Sequence, residues 1–110
     1  MNSHSDTPAT STFGFCRLEI REDLLSTNAG RLRTRITQEL DAASTARPSV
    51  FEVDLRGARI VDSVGLNLLV MVIKRVRTWG GKTRILLDDS NVRRTLQFTR
   101  LDSHADIVLR

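Results

Sequence analysis

The chain alternates between segments with an apolar residue at every second position and segments with one at every third or fourth position. Residues 13–20 follow the first pattern, which is typical of a β-strand, and its inner face would carry Cys16, Leu18 and Ile20. Residues 28–40 follow the second pattern and predict an amphipathic helix, whose core stripe would be formed by Leu32, Ile36 and Leu40.

The second half of the chain repeats this alternation. Residues 50–55 alternate as a strand with one apolar face, formed by Phe51, Val53 and Leu55. A helix is predicted over residues 66–79, with its core stripe at Leu66, Leu69, Val70, Ile73 and Val76. Gly80-Gly81 end that helix, and residues 83–87 form the next strand. A short helix at 91–99 and a strand at 105–109 follow, the helix with its inward residues at Val92, Leu96 and Thr99.

Strands that alternate with helices in this way imply parallel or mixed pairing with helical crossovers. We therefore predict one α/β domain over residues 13–110, with a mixed sheet of about four to five strands and about three to four helices. A chain of 110 residues fits a single domain. Residues 1–12 are rich in Ser and Thr and have no periodicity, which predicts a disordered tail.

Composition limits the partners and the cellular compartment that we expect for this protein. The net charge of +4 comes without a long basic run and with few aromatic residues, so no nucleic-acid partner is expected. Cys16 is the only cysteine, which excludes an internal disulfide and fits a reduced cytoplasmic compartment. The longest nearly apolar run, residues 64–73, is shorter than the roughly 20 residues that span a bilayer, so no membrane insertion is expected.

The chemistry of known catalytic motifs is missing from the sequence. It contains no glycine-rich nucleotide loop, no nucleophile elbow and no Cys/His spacing for a metal. His4 and His104 have no predicted nucleophile nearby. Asp88-Asp89 are predicted to cap the following helix and not to bind a metal. We therefore expect no enzymatic activity, no catalytic residue, no metal and no cofactor.

The segment IVDSVGLNLL interrupts an apolar stretch with Asp62 and Ser63. These residues have two interpretations. Asp or Ser accepts hydrogen bonds from the free N–H groups of a helix start, and local physics favours this capping role because caps are common. Alternatively, the Ser63 hydroxyl is a site of phosphorylation, since a helix N-terminus is a favourable place for an added negative charge.

The chain resembles the STAS domain of bacterial anti-sigma factor antagonists over roughly residues 13–110. The matching motifs are a hydrophobic-Asp-Leu pattern at residues 53–55, the string D-S-x-G-L at 62–66, a glycine stop at 80–81 and a strand at 84–87. The resemblance implies a stand-alone module that binds an anti-sigma factor, usually a serine kinase of the ATPase fold, and so releases a sigma factor. It also implies phosphorylation in this loop that ends the interaction, and a phosphatase that restores it.

The same resemblance implies the functional residues. Many members carry a second hydroxyl directly before the glycine, where this chain has Val64. Either Ser63 accepts the phosphate, or the domain binds its partner without being phosphorylated. The partner would contact Asp62, Ser63, Val64 and Gly65, together with Asn67 and Met71 on the following helix. We expect a monomer. The alternative function is that of a STAS subunit in a membrane lipid-transport ATPase complex.

Overall fold

The computed structural model describes residues 10–12 and 14–110. Its elements, in chain order, are β1 (Thr10–Thr12), β2 (Phe15–Glu19), α1 (Ala29–Ala46), β3 (Val50–Asp54), α2 (Ser63–Thr78), β4 (Lys82–Leu87), α3 (Ser90–Phe98), a 3₁₀ turn (Leu101–Ser103) and β5 (Asp106–Leu109).

The strands form one mixed sheet in the order β1-β2-β3-β4-β5. β1 is antiparallel to β2, and every other neighbouring pair is parallel. The parallel strands β2 to β5 follow one another in the sheet in chain order. Right-handed crossovers between such strands place all the connecting helices on one side of the sheet. The predicted α/β class and the mixed sheet are therefore confirmed.

The hydrophobic core lies between the sheet and the helices. The predicted inward residues of β2 and β3 are all buried there: Cys16, Leu18, Ile20, Phe51, Val53 and Leu55. Burial, reinforced by the negative charge of Glu39, raises the pKa of the Cys16 thiol to about 11. This thiol is therefore protonated at neutral pH and inert, as expected for a buried cysteine.

Two boundaries differ from the sequence prediction. Residues 10–12 form β1, whereas they were predicted to belong to a disordered tail; residues 1–9 and Phe13 lie outside the described residues. α1 extends to Ala46, beyond the predicted end at residue 40, because Ala43 continues the buried stripe by one more turn. The helix ends where Arg47 adopts a left-handed conformation directly before Pro48.

The core stripe of α2 was only partly predicted. Leu69, Ile73 and Val76 are buried as expected, but Leu66 and Val70 are only partly buried, and Leu68 and Val72 take the central positions. Apolar residues occupy nearly every position of this segment, so periodicity alone did not decide which stripe faces the sheet. In α3, Val92 and Leu96 are buried, whereas Thr99 is exposed and follows the helix end.

The sheet face opposite the helices is held by ion pairs. Glu52 in β3 is almost fully buried, between Arg17 of β2 and Arg84 of β4. Asp54 follows on the same face and binds the guanidinium of Arg56 at 2.8 Å.

None of the helices among residues 10–12 and 14–110 is both long enough and apolar enough to cross a membrane.

Candidate functional site

The connection from β3 to α2 is fixed to the segment that precedes α1. Leu24 and Val61 form an isolated parallel bridge. The Leu24 amide donates to the carbonyl of Ile60, and the Asp62 amide donates to the carbonyl of Leu24, both at 3.0 Å. The start of α2 therefore has a strand-like contact with a distant part of the chain.

Asp62 is the N-cap of α2 and also links two segments. One carboxylate oxygen accepts from the Gly65 amide at 2.8 Å, and the other accepts from the Ser26 amide at 2.7 Å. These backbone hydrogen bonds hold the pKa of Asp62 below its usual value, and the one from Gly65 has the largest effect. The predicted capping role is therefore confirmed for Asp62, and the helix begins at Ser63, before the first residue of the predicted apolar stripe, Leu66.

Gly65 is required by a close approach of two backbones. A Cβ atom at this position would lie 2.1 Å from the carbonyl oxygen of Leu24. The obstacle is backbone, which cannot move aside as a flexible side chain would. The glycine of the D-S-x-G string thus lets the first turn of α2 pack directly against the Leu24 segment.

Two further aspartates hold the preceding part of the same connection. Asp23 accepts from the amides of Arg59 at 2.6 Å and of Ile60 at 3.2 Å. Asp88, which follows β4, accepts from the Gly57 amide at 2.9 Å. That hydrogen bond, together with the charge of Arg59, lowers the pKa of Asp88. The whole connection is thus tied to the loops on either side of it.

The predicted cap at Asp88-Asp89 is confirmed for the second residue. Asp89 is the N-cap of α3, and its carboxylate accepts from the amides of Asn91 at 2.8 Å and Val92 at 3.1 Å. Ser90, the first residue of α3, is exposed. The protein therefore has a second Asp-Ser helix start.

Ser63 and Val64 point away from the fold. Both are exposed, Val64 at 41%, and Ile60 beside them is 54% exposed. Within the described part of the chain, no group forms a hydrogen bond with the Ser63 hydroxyl. We name residues 60–65 the contact loop. Its inward residues Asp62 and Gly65 hold the fold, while its outward residues expose two apolar side chains and one hydroxyl.

The outer face of α2 continues this surface. Asn67 is exposed, as expected, but Met71 is partly buried because Arg33 of α1 lies against it, with Nη1 3.3 Å from the Met71 sulfur. A groove of about 420 Å³ runs between these residues and Lys74. Among the described residues, neither Arg33 nor Lys74 has a carboxylate partner, so the groove carries uncompensated positive charge.

The described ranges, 10–12 and 14–110, contain no cluster of three or more His, Cys, Asp or Glu side chains that could hold a metal ion. The aspartates that hold the connection from β3 to α2 accept from backbone amides, and Asp88 also accepts from the guanidinium of Arg59. Their arrangement serves to position a loop.

The family model for the STAS domain matches residues 7–109. The fold is similar to that of a Thermotoga maritima protein described as an anti-sigma factor antagonist, with a TM-score of 0.80 and 21% identity over 98% of this chain and 92% of that one. An anti-sigma factor antagonist from Mycobacterium paratuberculosis has a TM-score of 0.76 and 18% identity, over 91% of this chain and 81% of its own.

The unphosphorylated anti-sigma factor antagonist SpoIIAA is also similar, with a TM-score of 0.65 and 14% identity over 92% of this chain and 84% of that protein. No curated protein sequence matches this chain. The structural likenesses establish a shared fold, and the family match covers nearly the whole chain.

Proposed function

The chain belongs to the STAS domain family, and on that premise we propose that it is an anti-sigma factor antagonist that works by partner switching. In this role it binds an anti-sigma factor that is a serine kinase of the ATPase fold, and so releases a sigma factor. It performs no reaction itself, and the ATP belongs to the kinase. Solved structures of anti-sigma factor antagonists with the same fold support the assignment.

One observation carries the proposal: the contact loop separates the residues that hold the fold from those that face outward. Asp62 and Gly65 are accounted for by backbone contacts with Ser26 and Leu24. Ser63 and Val64 have no such role, yet they are held in a fixed position on the surface. A rigid exposed loop of this kind suits recognition by another protein.

The charge and polarity of this surface indicate what the surface of a partner must provide. Ile60 and Val64 offer apolar area next to Ser63. The adjoining groove carries Arg33 and Lys74, which have no carboxylate partner among the described residues. The complementary surface would combine an apolar centre with carboxylates at its rim, because like charges facing each other are costly and opposite charges speed association.

Phosphorylation of Ser63 would switch this contact off. The hydroxyl oxygen attacks the γ-phosphorus of ATP, and ADP and a proton are released. The product carries about −1.5 to −2 charge at neutral pH. Asp62 already accepts from one amide of the nearest helix end, that of Gly65. The phosphate would therefore remain hydrated beside a carboxylate, and a partner covering Ile60 and Val64 would have to remove that water.

The kinase reaction tests the proposal directly. The partner is captured from the native cell, incubated with this protein and ATP, and the phosphorylated residue is located by mass spectrometry. We expect phosphate on Ser63 and none in the Ser63→Ala variant. Ser90→Ala is the matched control, because Ser90 occupies the same place in a second Asp-Ser helix start. Phosphate that persists in Ser63→Ala, or capture of a transport ATPase in place of a kinase, would contradict it.

A further inference from the structure

A second candidate site lies at the other end of α2. A cleft of about 250 Å³ opens between the last turns of this helix, the start of β4 and residues 102–106. A smaller apolar chamber of about 140 Å³ adjoins it and is lined by Val70, Ile73 and Leu101. The two share Ile73, Arg77 and His104 and therefore adjoin, and we name them together the distal cleft.

The floor of the distal cleft contains an unsatisfied buried hydroxyl. Thr83 lines the cleft from β4 and is only 3% exposed. Among the residues that the structure describes, its Oγ1 atom has no hydrogen-bond partner. Buried polar atoms are almost always paired, so an unpaired one in a native protein requires an explanation. A polar group bound in the cleft would supply the missing partner.

Basic groups converge on the same place. Arg77 Nη2 lies 3.4 Å from Nδ1 of His104. A guanidinium only donates, so Nδ1 of His104 is the acceptor in this contact. Lys82 also lines the cleft, and neither it nor Arg77 has a carboxylate partner among the described residues.

The acidic lining limits which anions fit. Asp102 and Asp106 line the distal cleft together with Arg77, Lys82 and Lys74, so the formal charges of these five side chains leave a single positive charge. Such a lining disfavours a polyanion such as a nucleoside triphosphate and suits a single carboxylate. Pockets for drug-sized ligands occupy about 300–1,000 Å³, and the two parts of the distal cleft, of about 250 Å³ and about 140 Å³, together lie at the small end of that range, which suits a small molecule.

We propose that the distal cleft binds a small organic acid with a short branched apolar body. Arg77 and the Thr83 hydroxyl engage the carboxylate, and the apolar body enters the chamber lined by Val70, Ile73 and Leu101. The acid is either a plain carboxylate or an amino acid, whose ammonium group would pair with Asp102 or Asp106. The site is separate from the contact loop and does not depend on the function proposed for it.

Titration followed by amide NMR shifts tests this with three compounds of similar shape. 4-Methylpentanoate and leucine both carry the carboxylate, whereas 3-methylbutan-1-ol lacks it. We expect the better acid to bind with a Kd on the order of 1 mM and to shift the amides of Arg77, Thr83 and His104. Tighter binding of leucine identifies an amino acid, and tighter binding of 4-methylpentanoate identifies a plain acid. Equal binding of the alcohol, or no shifts at tenfold higher acid, overturns the proposal.

Two variants show whether the named groups hold the acid. Arg77→Gln should weaken binding roughly tenfold, because it removes a charge-assisted hydrogen bond. Arg75→Gln is the matched control on the same helix, since Arg75 pairs with Asp41 of α1 outside the cleft. Thr83→Val keeps the shape, so it should raise the melting temperature of the free protein while weakening acid binding. Unchanged affinity in both Arg77→Gln and Thr83→Val would refute the site.

Discussion

Two helices of this protein begin with the same Asp-Ser pair, and their surroundings differ. In both, the aspartate caps the helix and the serine is the exposed first residue. At α3, the Asp89 carboxylate accepts hydrogen bonds from two amides of its own helix, and it has a longer ion pair with Arg59 Nη1 at 3.6 Å. At α2, Asp62 also accepts from Ser26, which lies outside the helix and 36 positions away along the chain.

The comparison shows that the dipeptide alone does not specify a functional loop. The α3 start is a local cap followed by polar Asn91 and buried Val92. The α2 start is bound to a distant segment and has Val64 and Ile60 exposed beside its serine. What distinguishes the candidate site is tertiary anchoring on its inner side combined with apolar exposure on its outer side.

The largest expected effect comes from breaking the anchoring. Gly65→Ala places a methyl group against the Leu24 carbonyl, which must shift or the helix start must move away. We expect a loss of at least about 2 kcal/mol in the free energy of unfolding, measured by urea denaturation.

Gly30→Ala in α1 is the matched control, because no described residue outside its own helix turn has an atom within 4 Å of the added Cβ. It should change stability by less than about 1 kcal/mol, in the stabilising direction. Equal stability of the two variants would show that the approach of Gly65 to Leu24 does not limit this fold.

The next effect concerns the outer side. Ser63→Asp places a negative charge among Ile60 and Val64, and a partner that covers them must desolvate it. We expect affinity for the captured partner to fall roughly tenfold or more, measured by calorimetry. Ser90→Asp makes the same change at the α3 start and should leave affinity within about twofold. Similar losses from both variants would place the contact outside the loop.

A smaller effect separates the two caps. Asp62→Ala removes backbone hydrogen bonds to two segments, whereas Asp89→Ala removes backbone hydrogen bonds within a single helix and a longer ion pair with Arg59. We expect Asp62→Ala to lower Tm by roughly 5–10 °C and Asp89→Ala by about half as much. Differential scanning calorimetry at neutral pH measures both, and a larger loss from Asp89→Ala would reverse the ranking of the two anchors.

The Asp62 contribution also depends on pH. Its pKa in the folded protein is lower than its ordinary value of 3.8, so its stabilisation is complete above that value. As pH falls through the folded pKa, Asp62 is protonated and the stabilisation is lost. The stability gap between the wild type and Asp62→Ala should therefore be constant at neutral pH and narrow in strong acid. A gap that widens in acid would contradict the hydrogen bonds assigned to this carboxylate.

The smallest effect tests the outward position next to Ser63. Val64→Thr exchanges an exposed methyl group for a hydroxyl and should change the free energy of unfolding by less than about 0.5 kcal/mol. If partner binding uses apolar area here, affinity should fall by a factor of about two to five. Phosphate mapping on this variant also shows whether the kinase prefers residue 64, as the resemblance to other family members suggests.

Local patterns carried most of the fold prediction. The spacing of apolar residues was enough to find β2, β3 and the order of the helices. Burial of one face imposes a period of two residues on a strand and of about 3.6 residues on a helix. The spacing failed for α2, where Leu66, Leu68 and Val70 are all apolar and only tertiary packing selects the buried side. It also missed β1, whose residues Thr10–Thr12 contain no apolar position at all.

The candidate site was predicted through a motif, and its supports were not. Asp62 as a cap and Ser63 as an exposed hydroxyl follow from residue types at a helix start. The roles of Asp23 and Leu24 do not, because both act on residues more than 30 positions away and no periodicity links them. Long-range backbone hydrogen bonds of this kind leave no local signal in a single sequence.

The bridge between Leu24 and Val61 has a kinetic consequence. A loop already held in one conformation loses little conformational entropy when a partner covers it, and its binding does not wait for a rearrangement. Association should then be limited by encounter and by the charge of the groove. A modification at Ser63 would act chiefly on how long the complex lasts, since changes within one interface alter dissociation more than association. Because the bridge fixes the loop, phosphorylation of Ser63 would act mainly by shortening the time that the partner stays bound.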